Sequence, residues 1–347
     1  MPGLPPLRAG VVGVGHLGQH HARIYATLEG VTLVGVADTR RARAEEIAAR
    51  SGCRVFEAGE DLLAAGVDLV SIATPTESHV EAARPFIEAG KPVLVEKPLA
   101  RTVAEARTLV DLARARGAAV QVGHVERFNP AVLAVRPVVR EPRFISCDRV
   151  SPFRFRSTDV GVVLDVMIHD LDVALHLMKR PVVDVEAFGV PVLSRTEDLA
   201  HARLRFEGGG IAVLTASRVS VKTERKIRIF QPDAYLSLDY GAKKGRIFRK
   251  RPGFETLSAE DLAGIDPQTP PEWLEALVFS KYLEMEEVSM EGEEPLKAEL
   301  RSFVDAVRRG SGPEVTAEDG LRAIEVADRI VRDLETRLDV ERSPRSP

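Results

Sequence analysis

A strand-length apolar run, Arg8–Val14, ends in Gly13-Val14-Gly15-His16-Leu17-Gly18. An amphipathic stretch, Leu17–Leu28, follows at once, with Leu17, His21, Ile24 and Leu28 on one helical face. Each glycine has a physical job in such a turn. Gly13 permits the tight bend, Gly15 lets the backbone approach a bound group closely, and Gly18 lets the helix pack on the strand. The next strand, Thr32–Ala37, runs into Asp38, 20 residues after Gly18. That is the spacing at which an acid reaches the ribose of a bound adenosine. The amides at the start of the helix, including those around His16 and Leu17, then face a pyrophosphate. The alternative is a glycine-rich turn that binds nothing; the strand before it, the helix after it and the acid beyond argue against that.

The alternation continues with a helix at Arg40–Arg50, a strand at Asp68–Ala73 and a helix at Glu77–Glu88. A strand at Pro92–Val95, a helix at Val103–Arg116 and a strand at Ala118–Val122 complete it. The runs at 67–73 and 92–95 are nearly all apolar, as parallel strands covered on both faces must be. Repeated β-α-β order predicts a doubly wound parallel sheet of the Rossmann type. After about residue 125 the pattern changes. Arg143–Val150, Val183–Val190, Ala202–Phe206, Ile211–Val219, Lys226–Phe230 and Ala234–Asp239 read as strands, several with period-two alternation, and glycine turns separate them. The expected fold is therefore α/β plus α+β. A dinucleotide-binding domain spans residues 1–125. A substrate-binding and oligomerisation domain with an open, mainly antiparallel sheet spans 126–347, its last helix packing back on the first. One long apolar helix, Val160–Met178, interrupts the sheet strands. Two later helices carry apolar stripes, Leu296, Leu300, Phe303, Val304 and Val307 in one, and Leu321, Ile324, Val331, Leu334 and Leu338 in the other.

Composition narrows the function classes. The 347 residues are 44% hydrophobic and 29% charged, an ordinary globular balance. Lys plus Arg number 48 against 52 Asp plus Glu, a net charge of −4. The basic excess of a duplex-binding protein is absent, so no nucleic-acid partner is expected. Cys53 and Cys147 form neither a CxxC pair nor a disulfide framework. Prolines occupy the first residues where a signal peptide needs its apolar helix, and no apolar run reaches membrane-spanning length. A cytoplasmic protein with no membrane span is expected.

Asp38 favours a free 2′-hydroxyl, because a 2′-phosphate would meet like charge, so NAD is the expected cofactor. Arg40 and Arg41 follow directly and keep NADP open. Cofactors of such sheets bind at the carboxyl ends of the strands. Three polar sequences occupy those ends: Thr74-Pro75-Thr76-Glu77-Ser78-His79, Glu96-Lys97-Pro98, and Gly123 to Pro130, which contains Arg127 and Asn129. Thr76 or Ser78 also suits a helix cap. Pro98 ends its strand and puts Lys97 at the rim of the sheet. His16, His20 and His21 read as helix-surface or packing residues. In the apolar helix, Asp165, His169, Asp172 and His176 fall on one face, with Asp170 beside them. A mostly buried helix must aim such a stripe at a cavity, a partner or a ligand, because an unpaired buried charge is costly. Asp165 can hydrogen-bond His169 one turn on and set its tautomer. Asp and His at this spacing also suit a metal, but no second ligand motif accompanies them, so no metal is expected.

Taken together these motifs resemble the glucose–fructose oxidoreductase, inositol dehydrogenase and MocA-like family, from Val11 to about Ile330. The glycine turn at 13–18, the Thr-Pro-Thr turn with His79, Glu96-Lys97-Pro98 and the Asp165–Asp172 motif carry the resemblance. Glu294-Pro295-Leu296 and the segment from Pro313 to Gly320 extend it. The resemblance implies an NAD-dependent dehydrogenase acting on a CH–OH group. Lys97, His169 and Asp165 would be catalytic. Gly13, Gly15, His16, Leu17, Gly18, Asp38, Thr74, Pro75, Thr76, His79, Glu96, Lys97 and Arg127 would hold the cofactor. Lys97, Asn129, Arg154, Arg156, Asp165 and His169 would meet the substrate.

The segments 123–131 and 164–172 further resemble UDP-N-acetylglucosamine 3-dehydrogenases of bacterial lipid A diaminosugar synthesis, whose 3-keto product a separate PLP aminotransferase converts to an amine. Many relatives have glycine where this chain has Met167. Free-sugar or inositol dehydrogenases, NAD-dependent glycosidases of the same fold and a non-catalytic NAD-binding module stand as alternatives. A homodimer or homotetramer through the open sheet face is implied. The basic run Lys243–Arg251 reads as a solvated strand edge or hairpin, and Arg149, Arg154 and Arg156 read as the better pyrophosphate ligands.

Overall fold

The computed structural model describes residues 5–153, 160–258 and 281–342, with residues 270, 273 and 278 between them. The chain divides into two compact units. The first combines Met1–Asn129, Val163–Val173 and Glu293–Pro347; the second combines Pro130–Val162 and Ala174–Gly292.

The first unit is built on a six-stranded sheet: β1 (Leu7–Val12), β2 (Val31–Ala37), β3 (Arg54–Phe56), β4 (Leu69–Ile72), β5 (Val93–Glu96) and β6 (Val120–Gly123). The strand order is β3-β2-β1-β4-β5-β6 and every pairing is parallel. The order reverses between β1 and β4, so this is the switch point outside which a ligand crevice lies. The helices are α1 (Gly18–Thr27), α2 (Arg41–Ser51), α3 (Asp61–Ala64), α4 (His79–Glu88) and α5 (Val103–Arg116). Both faces of the sheet are covered, as the apolar strands require. Val70, Ile72, Val93 and Val95 pack with Phe86, Ile87 and Leu109 in one buried cluster. Val11, Val36, Leu69 and Leu94 pack with Ile24, Tyr25 and Phe303 in the other. Periodicity did not reveal β3 and α3, whose three and four residues are too short to show a period.

Two C-terminal helices complete this unit, α8 (Pro295–Arg309) and α9 (Ala317–Arg342). Along the chain, α6 (Pro130–Val135) and α7 (Ile168–Met178) precede them. A reciprocal capping box starts α9: Asp319 N donates to Thr316 Oγ1 at 3.1 Å and Thr316 N to Asp319 Oδ2 at 3.1 Å. The expected single helix over Val160–Met178 is instead a π turn at Val163–Met167 followed by α7. Inserted π turns of this kind gather at functional sites.

Among its described residues the second unit holds an eight-stranded sheet: β7 (Phe144–Val150), β8 (Val182–Val190), β9 (Leu199–Phe206), β10 (Ile211–Ser217), β11 (Glu224–Gln231), β12 (Ala234–Asp239), β13 (Lys244–Lys250) and β14 (Leu283–Val288). Their order is β14-β13-β12-β11-β7-β10-β9-β8. All pairings are antiparallel except β7 with β10, which is parallel. Alternate residues of β7 and β9 are buried, and Val183, Phe188, Val190, Phe230 and Met285 remain exposed. The basic run is β13, one strand in from the edge. Acidic β14 faces it, with Arg249 3.0 Å from Glu286 and Arg251 3.3 Å from Glu284.

A polar knot orders the start of the second unit's return. Asp198 is fully buried; its Oδ2 accepts from the amides of Val192, Leu193 and Ser194, and its Oδ1 from Arg218 Nε at 2.7 Å. Arg218 Nη1 donates to Val160 O at 2.7 Å, and Val162 N donates to Glu197 O at 3.0 Å. Residues 160–162 are thereby fixed immediately before the π turn.

Candidate functional site

The glycine turn has the shape its sequence requires. Gly13 adopts φ +82°, and a Cβ there would lie 2.7 Å from Thr74 N; a Cβ on Gly18 would lie 1.8 Å from Gly13 O. Neither position admits a side chain. Gly15 is different: only Arg40 Nη2, at 3.9 Å, comes near its would-be Cβ, so its backbone is open to a ligand. The start of α1 has no side-chain cap and no acid in its first turn, which leaves amides for a pyrophosphate. Asp38 Oδ2 accepts from Val14 N at 2.9 Å and Oδ1 from Arg40 N at 2.9 Å. The acid at the end of β2 is thus locked against the glycine turn. Arg41 pairs with Glu45 and Glu57, whereas Arg40 is largely exposed beside Asp38. Arg43, which carried no sequence signal, donates from Nε to Val14 O at 3.0 Å and from Nη2 to Gln19 Oε1 at 2.8 Å. It holds the turn from α2. These residues fit a dinucleotide.

The ends of β4 and β5 are tied together by His79. Its Nδ1 lies 2.9 Å from Pro98 O and its Nε2 3.0 Å from Thr74 O. Burial holds the imidazole below its ordinary pKa, and a neutral ring donates to one carbonyl at a time. Thr76 and Ser78 lie in a single tight turn that leads into α4, and neither supplies a side-chain cap. Thr74 Oγ1 donates to Pro75 O at 3.3 Å.

Lys97 follows β5. Its side chain is 13% exposed, and Nζ donates to Asp165 O at 2.8 Å and sits 3.5 Å from Asp165 Oδ1. The π turn therefore meets the lysine at the rim of the parallel sheet. His169, four residues on in the first turn of α7, is half-buried. Asp172, three further on, is 1% exposed and grips Arg127 from two oxygens, with Nε to Oδ2 at 2.6 Å and Nη2 to Oδ1 at 2.7 Å. So the polar stripe has a partner within this unit. Arg127 is itself 5% exposed, and Asn129 Nδ2 donates to Glu126 Oε2 at 2.8 Å. His176 lies past Val173, in the part of α7 that belongs to the second unit. Arg154 and Arg156 lie outside the described residues, and Arg149 is buried in β7.

Glu96 is 6% exposed and faces inward. Its Oε1 lies 2.8 Å from His21 Nε2, and its Oε2 accepts from Lys97 N at 3.2 Å. Burial alone pushes its carboxyl up; the hydrogen bond from His21 and nearby positive charge, Lys97 included, outweigh burial and hold it below the ordinary range. His21, read from sequence as a surface or packing residue, is fully buried on α1. His124 is 1% exposed with Nε2 4.0 Å from Asp172 Oδ1, and burial keeps its pKa low.

A family model for the oxidoreductase family with an NAD-binding Rossmann fold matches residues 7–124. The model for the GFO/IDH/MocA C-terminal domain matches residues 131–236. A UDP-N-acetylglucosamine 3-dehydrogenase of Acidithiobacillus ferrooxidans is 41% identical over 235 residues, 67% of this chain and 74% of that protein. The solved structure of a UDP-N-acetylglucosamine 3-dehydrogenase from the same organism superposes with a TM-score of 0.83 at 34% identity, covering 96% of this chain and 99% of that one. An inositol 2-dehydrogenase of Rhizobium meliloti is 26% identical over 342 residues, 94% of this chain and 96% of that protein. With both domain models matched in order and the glycine turn shaped for a dinucleotide, the chain belongs to the Gfo/Idh/MocA family of NAD-binding oxidoreductases.

Proposed function

We propose that the protein oxidises a secondary hydroxyl of a nucleotide sugar, the 3-hydroxyl of UDP-N-acetylglucosamine, to the 3-keto sugar. The observation that carries this reading is the Lys97 ammonium held against Asp165 at the carboxyl end of β5, with His169 one turn further on. Oxidising a carbinol removes a proton from oxygen and a hydride from carbon. His169 takes the hydroxyl proton, an imidazole being a base suited to neutral pH. Lys97 lies beside the same hydroxyl, and its cation stabilises the alkoxide as charge develops. Asp165 positions the lysine through its carbonyl and carboxylate. Bound NAD⁺ supplies the hydride acceptor. Gly13, Gly15 and Gly18 with the start of α1 bind its pyrophosphate, and Asp38 reads its ribose.

The nucleotide-sugar assignment draws support from the 41% identity to the Acidithiobacillus protein and from the motifs at 123–131 and 164–172. Arg154 and Arg156 are the cations assigned to the pyrophosphate of the substrate. On this reading the 3-keto product passes to a PLP aminotransferase in lipid A diaminosugar synthesis, in the cytoplasm. The exposed Phe188, Val190 and Phe230 of the second unit's sheet favour a homodimer or homotetramer. Inositol oxidation is the second reading, favoured by the near full-length similarity to inositol 2-dehydrogenase.

The test is NADH formation with UDP-N-acetylglucosamine against inositol and free hexoses, with NADP in a parallel arm. Turnover of the nucleotide sugar is expected. Turnover of inositol alone moves the assignment to the second reading. Glycoside cleavage without net NADH identifies a hydrolase, and NAD binding without turnover identifies a binding module.

A further inference from the structure

Behind Lys97 the first unit buries a set of polar side chains that the reaction just described does not use. Glu299 of α8 is fully buried. Among the described residues neither of its carboxyl oxygens has a hydrogen-bond partner. Its own carbonyl accepts from Gln121 Nε2 on β6 at 3.4 Å. Gln121 is fully buried too, and its Oε1 likewise has no partner among the described residues. On α1, which packs against α8, His21 presents Nε2 to Glu96 and leaves Nδ1 without a partner. Three elements therefore bring buried polar atoms into one neighbourhood, and among the described residues each lacks the group that would satisfy it.

An ionised Glu299 cannot be that group. A buried carboxylate with no donor is costly, and the carboxylates of Glu96 and Asp172 add like charge, so burial first and those charges second hold its proton on well above the ordinary carboxyl range. The acid form is suited to the role, because a protonated carboxyl is both donor and acceptor. With Nε2 donating to Glu96, His21 Nδ1 is an acceptor, as is Gln121 Oε1; the single O–H of Glu299 serves one of them, and a buried water with two or more polar partners serves the other. From His21 the chain of bonds runs through Glu96 Oε1 to Oε2, which accepts from the backbone amide of Lys97.

We propose that Glu299, as the neutral acid, is a positioning residue that completes a buried hydrogen-bond cluster with His21, Gln121 and Glu96 and so fixes Lys97. It touches neither substrate nor cofactor. The consequence for turnover rests on the dehydrogenase reading; the protonation state does not.

Two measurements test this. The first is the infrared spectrum of the wild type and of Glu299→Gln. A carbonyl-stretch band of a protonated carboxylic acid is expected in the wild type at pH 8 and is expected to be missing in the variant; no difference between the two overturns the proposal. The second is kinetic. Glu299→Gln keeps a neutral donor and acceptor, and its kcat should stay within about twofold of the wild type. Glu299→Leu removes both and should lower kcat about tenfold or more, the scale of one lost buried hydrogen bond, with the NADH dissociation constant unchanged. Equal losses in the Gln and Leu variants, or no loss in Leu, overturn the positioning role. If Glu299→Leu does not fold, the Gln variant and the infrared band decide. If the wild type turns over no sugar or polyol at all, the functional reading fails while the infrared result still stands.

Discussion

Replacing Asp172 with leucine leaves the Arg127 guanidinium buried without its carboxylate. The pair makes two hydrogen bonds, at 2.6 and 2.7 Å, between side chains that are nearly water-free. Bonds of this charge-assisted, two-point kind are the strong ones. Removing one partner from a buried pair costs about 3–5 kcal/mol, because the surviving charge has lost both water and counterion. The two single variants should differ. After Asp172→Leu, Arg127 Nη2 still lies 3.9 Å from Asp319 Oδ1, so the loss should be near 3 kcal/mol, the low end of that range. After Arg127→Met the Asp172 carboxylate loses both of these bonds, and the nearby His124 ring is kept neutral by burial. That loss should approach 5 kcal/mol. The double variant exchanges the pair for two apolar side chains of similar volume and should be more stable than either single one. Urea unfolding followed by circular dichroism reads all four proteins, with midpoints converted through a common slope. Two losses that simply add in the double variant, or an Asp172→Leu protein as stable as the wild type, would refute the reasoning.

His169→Asn should lower kcat by about 10²–10⁴-fold with the fold and NADH affinity unchanged, read by steady-state kinetics and calorimetry; wild-type turnover would remove it as the base. Lys97→Ala should reduce kcat far more than it weakens NADH binding, and equal effects on both would assign the lysine to the cofactor instead. Asp198 is held below the ordinary carboxyl range: burial opposes its ionisation, but bonds from the Ser194 and Leu193 amides and from Arg218 outweigh that. A carboxyl lowered in the folded state stabilises at neutral pH and loses that contribution as pH falls below about 4. Asp198→Asn should therefore be less stable at pH 7 and show a flatter acid limb in thermal melts. Burial pushes the Cys53 thiol up to about 11, so at pH 8 its alkylation should be roughly two orders of magnitude slower than that of an unperturbed cysteine; comparable rates would contradict its placement.

How much of this was legible in the sequence depends on whether a residue's partner is local. The glycine turn, the alternation of apolar strands and helices, and Lys97 at the end of β5 are set by chain-local rules, and the structure has them where those rules put them. The parallel pairing of β7 with β10 inside an otherwise antiparallel sheet has no local signature, because strand neighbours far apart in sequence decide it. The π turn reads as helix for a different reason: one extra residue in a turn leaves the apolar pattern of 160–178 almost unchanged. Asp198 and Arg218 lie 20 residues apart, and nothing in their flanks announces that they meet. The stripe of Asp165, His169, Asp172 and His176 was visible, and the resemblance grouped Asp165 with Lys97; the grip of Asp172 on Arg127, in the turn at 125–128, was not visible.

The buried cluster behind Lys97 was in fact signalled, in a way that reading for amphipathic faces discards. His21 occupies the apolar face of α1, between Leu17 and Ile24. Glu299 sits three residues after Leu296 and four before Phe303, squarely within the apolar stripe of α8. A hydrophobic pattern treats each as an interruption and assigns it no partner. On a helix face that must be buried, an interruption has a definite cost, and the fold can meet it only by bringing a complementary polar group or water from another element. Two helices that each carry one polar residue inside an apolar face should therefore place those residues against a shared polar neighbourhood. Here α1 and α8 pack against each other, and both residues are fully buried. Ser71 supplies an independent case on the same sheet: it interrupts β4, is fully buried, and meets Tyr25 Oη at 2.9 Å. The polar exceptions within apolar periods, more than the periods themselves, mark where this fold keeps its internal hydrogen-bonding chemistry.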